Sequence, residues 1–426
     1  MLLTHACKTD KPNNALPQHL QQYCVHRLTD VIVYDIFSPP VASRIYAYSN
    51  LAWYEALKYS NTLTQSITAS LHGFEPIHHI ADTLAVNYEL AAVHAFFTTA
   101  KALLFSKDSL SITQTVLEEA FRRENNTNIF EQSIVFGDSV AAIILRRAAS
   151  DNYKKTRGMP RYSVFRETGK WQQTPPDYAD AAEPNWKLIK PLLPDSAGLL
   201  PPPPPPPYSE DASSIYQKQL EEIVAMRKNI TPQMDTIAHY WDDNPFVTQH
   251  EGHFTFATKK TTPAGHWMGI TQILTEQMGA DNIKTAACYA LTSAAIFDGF
   301  IICWHEKYNS RTVRPVTVIR TLKDQNWNPL LQTPPFPEYT SGHSVISAAA
   351  AGVLTFMMGA VSFMDTTEME YLGLSRKFES AKQAANEASI SRLYGGIHYR
   401  AAVEAGALQG EKLANLYEQK FDYQKR

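Results

Sequence analysis

The sequence predicts an all-α protein: two helical bundles joined by a long proline-rich connection. Three observations predict it. Apolar residues recur at helical spacing over most of the chain, and alternating strand patterns are rare, 254–258 being the one short candidate. A stretch loaded with proline, aromatic and polar residues divides the helical pattern into two halves and ends in the prolines Pro201 to Pro207.

In the first half, residues 1–157, helices are predicted over 41–59, 80–105, 111–122 and 129–150. The start of the first, Val41-Ala-Ser-Arg-Ile-Tyr-Ala-Tyr48, has helical period and few β-branched residues. The connection, 158–208, contains Trp171, Pro175-Pro176 and Trp186 before the proline tract, which favours extended polyproline II and cannot be helix. Its tryptophans need burial, which argues against a disordered linker. In the second half, 209–426, helices are predicted over 214–228, 231–240, 263–277, 283–309, 315–324, 344–358, 368–387 and 399–423.

Composition narrows the function classes. The chain has 426 residues, 44% apolar and 19% charged, as in an ordinary globular protein, and its net charge is −3. No basic tract or stripe marks a nucleic-acid binder. The apolar run 345–361 is broken by Ser347, Gly352 and Thr355, and the run 289–304 carries Asp298; both read as core helices, so no transmembrane bundle is expected. The four cysteines form no CxxC pair. Met1 to Lys11, with leucines, a small residue, Cys7 and a polar tether, reads like the tail of a bacterial lipoprotein signal without its charged and apolar regions. That predicts an exported or lipid-anchored envelope protein, or a cytoplasmic one if this terminus is complete. His78-His79 and His250 with His253 have no further ligands nearby in sequence and read as surface or loop histidines.

The chemistry lies in three clusters of the second half. Lys307 and Arg314 stand seven apart, two helical turns or ~10 Å along an axis, so their long side chains can converge on one anion. Pro315 ends the helix there and sets Arg314 at a terminus. Ser341-Gly342-His343 precedes an alanine-rich helix, whose N-terminal amides attract anions while His343 supplies an acid/base group. Ser391-Arg392 is followed by a Gly395-Gly396 turn that aims His398 back toward a site. Alone, each reads equally as a solvated helix end, a capping serine or a core histidine. Together they supply three cations, a hydroxyl, a backbone amide and two imidazoles, the inventory for holding a tetrahedral oxyanion.

The pattern Lys-x6-Arg-Pro, Ser-Gly-His and Ser-Arg-x5-His resembles the superfamily of type-2 phosphatidic acid phosphatases and vanadium-dependent haloperoxidases. The haloperoxidase branch is favoured by length, by the absence of membrane helices, by Pro334-Pro335-Phe336-Pro337-Glu338-Tyr339 leading into the serine motif, and by Trp304 three residues before Lys307. The resemblance implies a vanadium haloperoxidase-like fold. It also implies vanadate held by His398 as the metal ligand, with Lys307, Arg314, Arg392, Ser341 and Gly342 around its oxygens. His343 would be the acid/base group, Lys307 would polarise bound peroxide, Asp243 (secondarily Asp242) would orient Arg392, and Trp304 and Phe336 would line the halide approach. The implied partners are hydrogen peroxide, a halide and a small organic acceptor, and assembly into a homo-oligomer is compatible with it. Two alternatives stay open: an acid phosphatase binding phosphate, with His398 as nucleophile, and an impaired oxyanion-binding protein. Two positions depart from the pattern. Thr340 stands where proline is usual, and Ala402 replaces an aspartate that would polarise His398. Glu404 lies on another face, so Ala402→Asp is expected to raise activity.

Overall fold

The computed structural model describes residues 15–422 apart from 62, 79–84, 165–166, 194–199 and 252. The Cys7 segment, His79 and the His250 side chain lie outside the described residues. The chain is mostly helical. Helices α1 (Leu20–Tyr34), α2 (Pro39–Leu57), α3 (Tyr88–Leu103), α4 (Asp108–Glu124), α5 (Thr127–Ser150) and α6 (Tyr153–Arg157) form the first half. The second contains α7 (Ile215–Lys228), α8 (Pro232–Tyr240), α9 (Pro263–Gln277), α10 (Asn282–Ser310), α11 (Pro315–Leu322), α12 (Gly342–Met358), α13 (Met369–Leu372), α14 (Ala381–Tyr394) and α15 (Arg400–Phe421). Two small antiparallel pairs interrupt them: β1 (Phe246–Glu251) with β2 (Phe254–Lys259), and β3 (Phe363–Asp365) with β4 (Arg376–Phe378).

Local chemistry explains the boundaries. Side chains of Asn87, Asn126, Ser214, Thr231, Thr262, Asp281 and Ser380 accept hydrogen bonds from the first-turn amides of α3, α5, α7, α8, α9, α10 and α14. Pro232, Pro263 and Pro315 occupy first helical positions, where a missing N–H costs nothing. The expected helix over 368–387 is instead split. Gly373, at φ +67°, ends α13, β4 follows, and Ser380 starts α14, which runs on to Tyr394. Helix α1, unread in the sequence, buries Cys24, Val25, Leu28, Val31 and Ile32 at helical spacing.

Helix α10 is the axis of the molecule. It is buried on every side from Thr285 to Trp304, the pattern of a central core helix, and it packs against α2, α9 and α12. Helices α5 and α10 are long and apolar enough to cross a membrane; the apolar stretch of α10 is wholly buried within the protein. One hydrophobic core runs from α1 through α10 to α15. The connection is ordered where described. Trp171 and Trp186 are buried, the Trp171 amide donates to Arg311 O, and the amides of Leu192 and Leu193 donate to the buried Asp298 carboxylate at 2.7 and 2.9 Å. Tyr339 Oη donates to Pro203 O in the proline tract.

Close backbone approach brings the starts of α12 and α15 together. A Cβ built on Gly406 would lie 2.8 Å from Ser341 O, and one on Gly410 would lie 2.2 Å from Val345 O. No side chain fits there without moving one helix. Gly410→Ala is therefore expected to destabilise the protein by about 1–3 kcal/mol through overpacking, read as a lower urea midpoint. Gly158→Ala, with only a 3.8 Å contact to its new methyl, should leave the midpoint unchanged. Equal midpoints for the two variants would refute the close-packing account.

Candidate active site

Helix ends converge at one place. Lys307 leaves the last turn of α10, and Arg314 stands at the N-cap position of α11. Ser341 caps α12, with Gly342 and His343 in its first turn. Arg392 is in the last turn of α14, and His398 lies in the loop leading to α15. The N-termini of α11 and α12 add partial positive charge and amides without intrahelical acceptors.

The three cations are essentially inaccessible, at 0% exposure for Lys307 and Arg314 and 1% for Arg392. Backbone carbonyls hold them. Lys307 Nζ donates to Pro337 O, Glu338 O and Thr340 O at 3.0, 3.0 and 2.5 Å. Arg314 donates through Nε to Phe336 O at 2.9 Å and through Nη1 to Ile397 O at 2.8 Å. Arg392 reaches Ala238 O, Trp241 O and Asp242 O, and its Nε bonds Ser391 Oγ at 2.9 Å. Among the described residues, none of the three forms an ion pair with a carboxylate. Burial pushes Lys307 down to about 7 and both arginines down to about 10. Among the described residues, Arg314 Nη2 and His343 Nε2 are buried without a hydrogen-bond partner. Taking such charges out of water costs several kcal/mol each, so the cluster has the chemistry of a socket for a multiply charged anion.

His398 is oriented from both sides. Its Nδ1 lies 2.9 Å from Glu338 Oε1, and the amide of Tyr399 donates to the same oxygen at 2.9 Å. Arg314 Nη1 lies 3.2 Å from its Nε2. A carboxylate only accepts and a guanidinium only donates, so Nδ1 carries the hydrogen and Nε2 presents its lone pair. Burial, then the charges of Arg314, Lys307 and Arg392, hold His398 well below the usual histidine range. Glu338, pushed up to about 7 by burial, supplies the carboxylate that Ala402 lacks. Ala402 is fully buried with Tyr339 and Ala405, and its carbonyl accepts from the Ser341 amide at 3.0 Å. Sequence reading missed Glu338 because it lies 60 positions before its histidine.

Ser341 Oγ accepts from the amide and hydroxyl of Ser344 at 3.4 and 2.9 Å, which leaves its own hydrogen to donate. His343, 16% exposed, points Nε2 toward Asp243 Oδ2 at 3.7 Å. Burial, then Arg392, His266 and Lys307, lower its pKa. The expectation that Asp243 orients Arg392 is corrected. The backbone of the 238–242 turn holds the guanidinium, while the Asp243 carboxylate faces His343 and His266. Trp304 and Phe336 pack with centroids 4.9 Å apart, and both lie within 6 Å of Lys307 Nζ, forming an aromatic wall.

Comparison with known proteins agrees with this architecture. Residues 287–424 match the VCPO second helical-bundle domain. The solved structure described as the first bacterial vanadium-dependent iodoperoxidase is 43% identical, with a TM-score of 0.90 over 96% of this chain and 98% of that one. Holo and apo forms of a bacterial vanadium-dependent chloroperoxidase share the fold at 17% and 16% identity. Their TM-scores are 0.68 and 0.71, over 91% and 94% of this chain and 93% and 98% of theirs. No curated protein matches the chain. The 43% identity over nearly the whole length decides the matter: the chain belongs to the vanadium-dependent haloperoxidases, a family of oxidoreductases.

Proposed function

We propose that this protein uses histidine-ligated vanadate to oxidise halide with hydrogen peroxide, and that iodide is its halide. The observation that carries the chemistry is the set of three buried cations, with no carboxylate within ion-pair distance among the described residues, around a histidine whose Nε2 is free of hydrogen. The choice of iodide rests on the iodoperoxidase relative.

The residues fit vanadate. The unpartnered Arg314 Nη2 and His343 Nε2 are the donors an added oxyanion would use. Lys307, Arg314, Arg392, the Ser341 hydroxyl and the Gly342 amide would hold its oxygens, and His398 Nε2 would bind the metal. When bound, vanadate supplies Lewis acidity that activates hydrogen peroxide toward halide without a change in its own oxidation state.

The chain's own groups do the rest. The ionised Glu338 carboxylate keeps the hydrogen of His398 on Nδ1, and Arg314 Nη1 faces the lone pair on Nε2. Lys307, fixed by three carbonyls, would set a buried positive charge beside the held oxyanion and so favour negative charge developing there. The overall reaction takes up one proton: halide, hydrogen peroxide and a proton give hypohalous acid and water. Halide loses two electrons and the O–O bond breaks. His343, partly open to solvent, is the group that takes and delivers protons. Trp304 and Phe336 wall the approach of the polarisable halide.

The direct test is peroxide-dependent oxidation of iodide, bromide and chloride by vanadate-loaded protein, beside phosphomonoester hydrolysis by vanadate-free protein. Iodide oxidation is expected, with bromide and chloride much slower. No oxidation of any halide, with robust phosphate release, would return the phosphatase reading.

Glu338→Ala should lower kcat for iodide about 10–100-fold by freeing the His398 ring. Glu338→Gln should lose less, because its amide oxygen still accepts from Nδ1 and Tyr399. Ala402→Asp, expected from the motif to help, should instead lower both activity and Tm, because it forces a second carboxylate into an apolar cluster beside Glu338. A gain in activity would show that Glu338 does not fill the aspartate's role.

Lys307 binds anions only when protonated, and in the vanadate-free site its pKa is down to about 7. Orthovanadate affinity should therefore fall as pH rises above 7, by up to tenfold per unit, more steeply than in Lys307→Arg. Parallel pH dependences in titrations of the two proteins would remove Lys307 from the anion's contacts.

A further inference from the structure

A second buried charged cluster lies beside the site and is not used in the mechanism above. His266, in the first turn of α9, is wholly buried. Its Nδ1 is 2.9 Å from Asp243 Oδ1, and its Nε2 is 3.0 Å from Asp365 Oδ2. Carboxylates at these distances accept, so both ring nitrogens carry hydrogen and the ring is a cation. Burial opposes that charge, and Asp243 and Asp365 outweigh it, holding the pKa well above the usual histidine value. Glu368 Oε1, itself unpartnered, lies 3.7 Å from Nδ1, but an imidazolium has no lone pair to offer a metal there. The Trp241 indole stacks on the ring, with centroids 4.4 Å apart and planes 12° from parallel.

Two observations tie this cation to the anion socket. Asp243 has φ +42°, in the left-handed region that few residues with a Cβ adopt. Its Oδ1 meets His266 and its Oδ2 faces the unpartnered His343 Nε2. The same turn presents Trp241 O and Asp242 O to Arg392. His266 thus grips the turn twice, through the Trp241 indole and the Asp243 carboxylate. It is anchored in turn by Asp365, whose Oδ1 accepts from Thr367 N and Oγ1 at 3.0 and 2.7 Å.

We propose, resting on the haloperoxidase reading, that His266 is a positioning residue: clamped between Asp243 and Asp365, it holds the 241–243 turn in its strained form. Asp243 then faces His343, and the turn's carbonyls grip Arg392. The charged and titratable groups facing His343 are Arg392, Lys307, His266, His398 and Asp243. Those facing His266 are Asp243, Asp365, Glu368 and His343. Removing the His266 charge takes away a cation that faces His343 and the hydrogen-bonded counter-ion of Asp243, which raises the proton affinity of His343.

The test compares wild type, His266→Gln and Asp365→Asn by orthovanadate titration of the vanadate-free protein, by iodide oxidation against pH, and by Tm. His266→Gln should lower kcat about tenfold or more, with KM for iodide within a few-fold. The same variant should move the pH profile of kcat upward and weaken vanadate binding several-fold. Asp365→Asn should do the same to a smaller degree. A folded His266→Gln with wild-type kcat, pH profile and vanadate affinity, or a loss confined to Tm, overturns the proposal. If His266→Gln does not fold, Asp365→Asn decides by the same readouts. Wild-type protein inert toward every halide would sink the haloperoxidase reading alone, and the vanadate titrations would still decide the role of His266.

Discussion

Three buried cations held by backbone carbonyls, with no carboxylate among the described residues within ion-pair distance, are the constraint on which the rest of the structure depends. Charges removed from water need compensation, and carbonyl dipoles supply only part of it. The loops around the site make sense in those terms. The 336–340 segment gives four carbonyls to Lys307 and Arg314, the 238–242 turn gives three to Arg392, and Ile397 gives one to Arg314. An acidic partner in place of these carbonyls would neutralise the cations and leave nothing for an incoming oxyanion.

The frame that keeps the cations in place is a close helical core. Gly406 and Gly410 let α15 approach the backbone of α12, and the Ser341 amide donates to Ala402 O across that seam at 3.0 Å. Gly299 does the same between α10 and α12, where a Cβ would lie 2.9 Å from Ile346 Cδ1. The connection, ordered by buried Trp171 and Trp186, packs against the end of α10 that carries Lys307. Ala182 O accepts from both Trp304 Nε1 and Tyr308 Oη, at 3.2 and 2.7 Å. Preorganisation of this kind matters because donors aimed in advance need not reorganise when charge develops.

Much of the fold was legible. The helical period announced α2 to α5, α7 to α12 and α15, and the proline tract announced the break. Other features were readable but passed over. Cys24, Leu28 and Val31 mark the buried stripe of α1, and Gly373 followed by Ser380 and Gln383 marks a stop and a capping start between α13 and α14. The short β3 and β4 carried too few residues to show alternation, and they pair across an intervening helix.

By itself the sequence determined most of the helices, the identity and order of the side chains that converge at the candidate site, and the residue types able to do proton chemistry, because these follow from local period and from functional groups. Tertiary structure decided which acid serves which base. Glu338 rather than residue 402 meets His398. Asp243 meets His343 and His266 rather than Arg392, which rests on carbonyls. A hydrogen bond near 2.9 Å between segments 60 positions apart depends on how helices pack, and no local pattern along the chain encodes that distance.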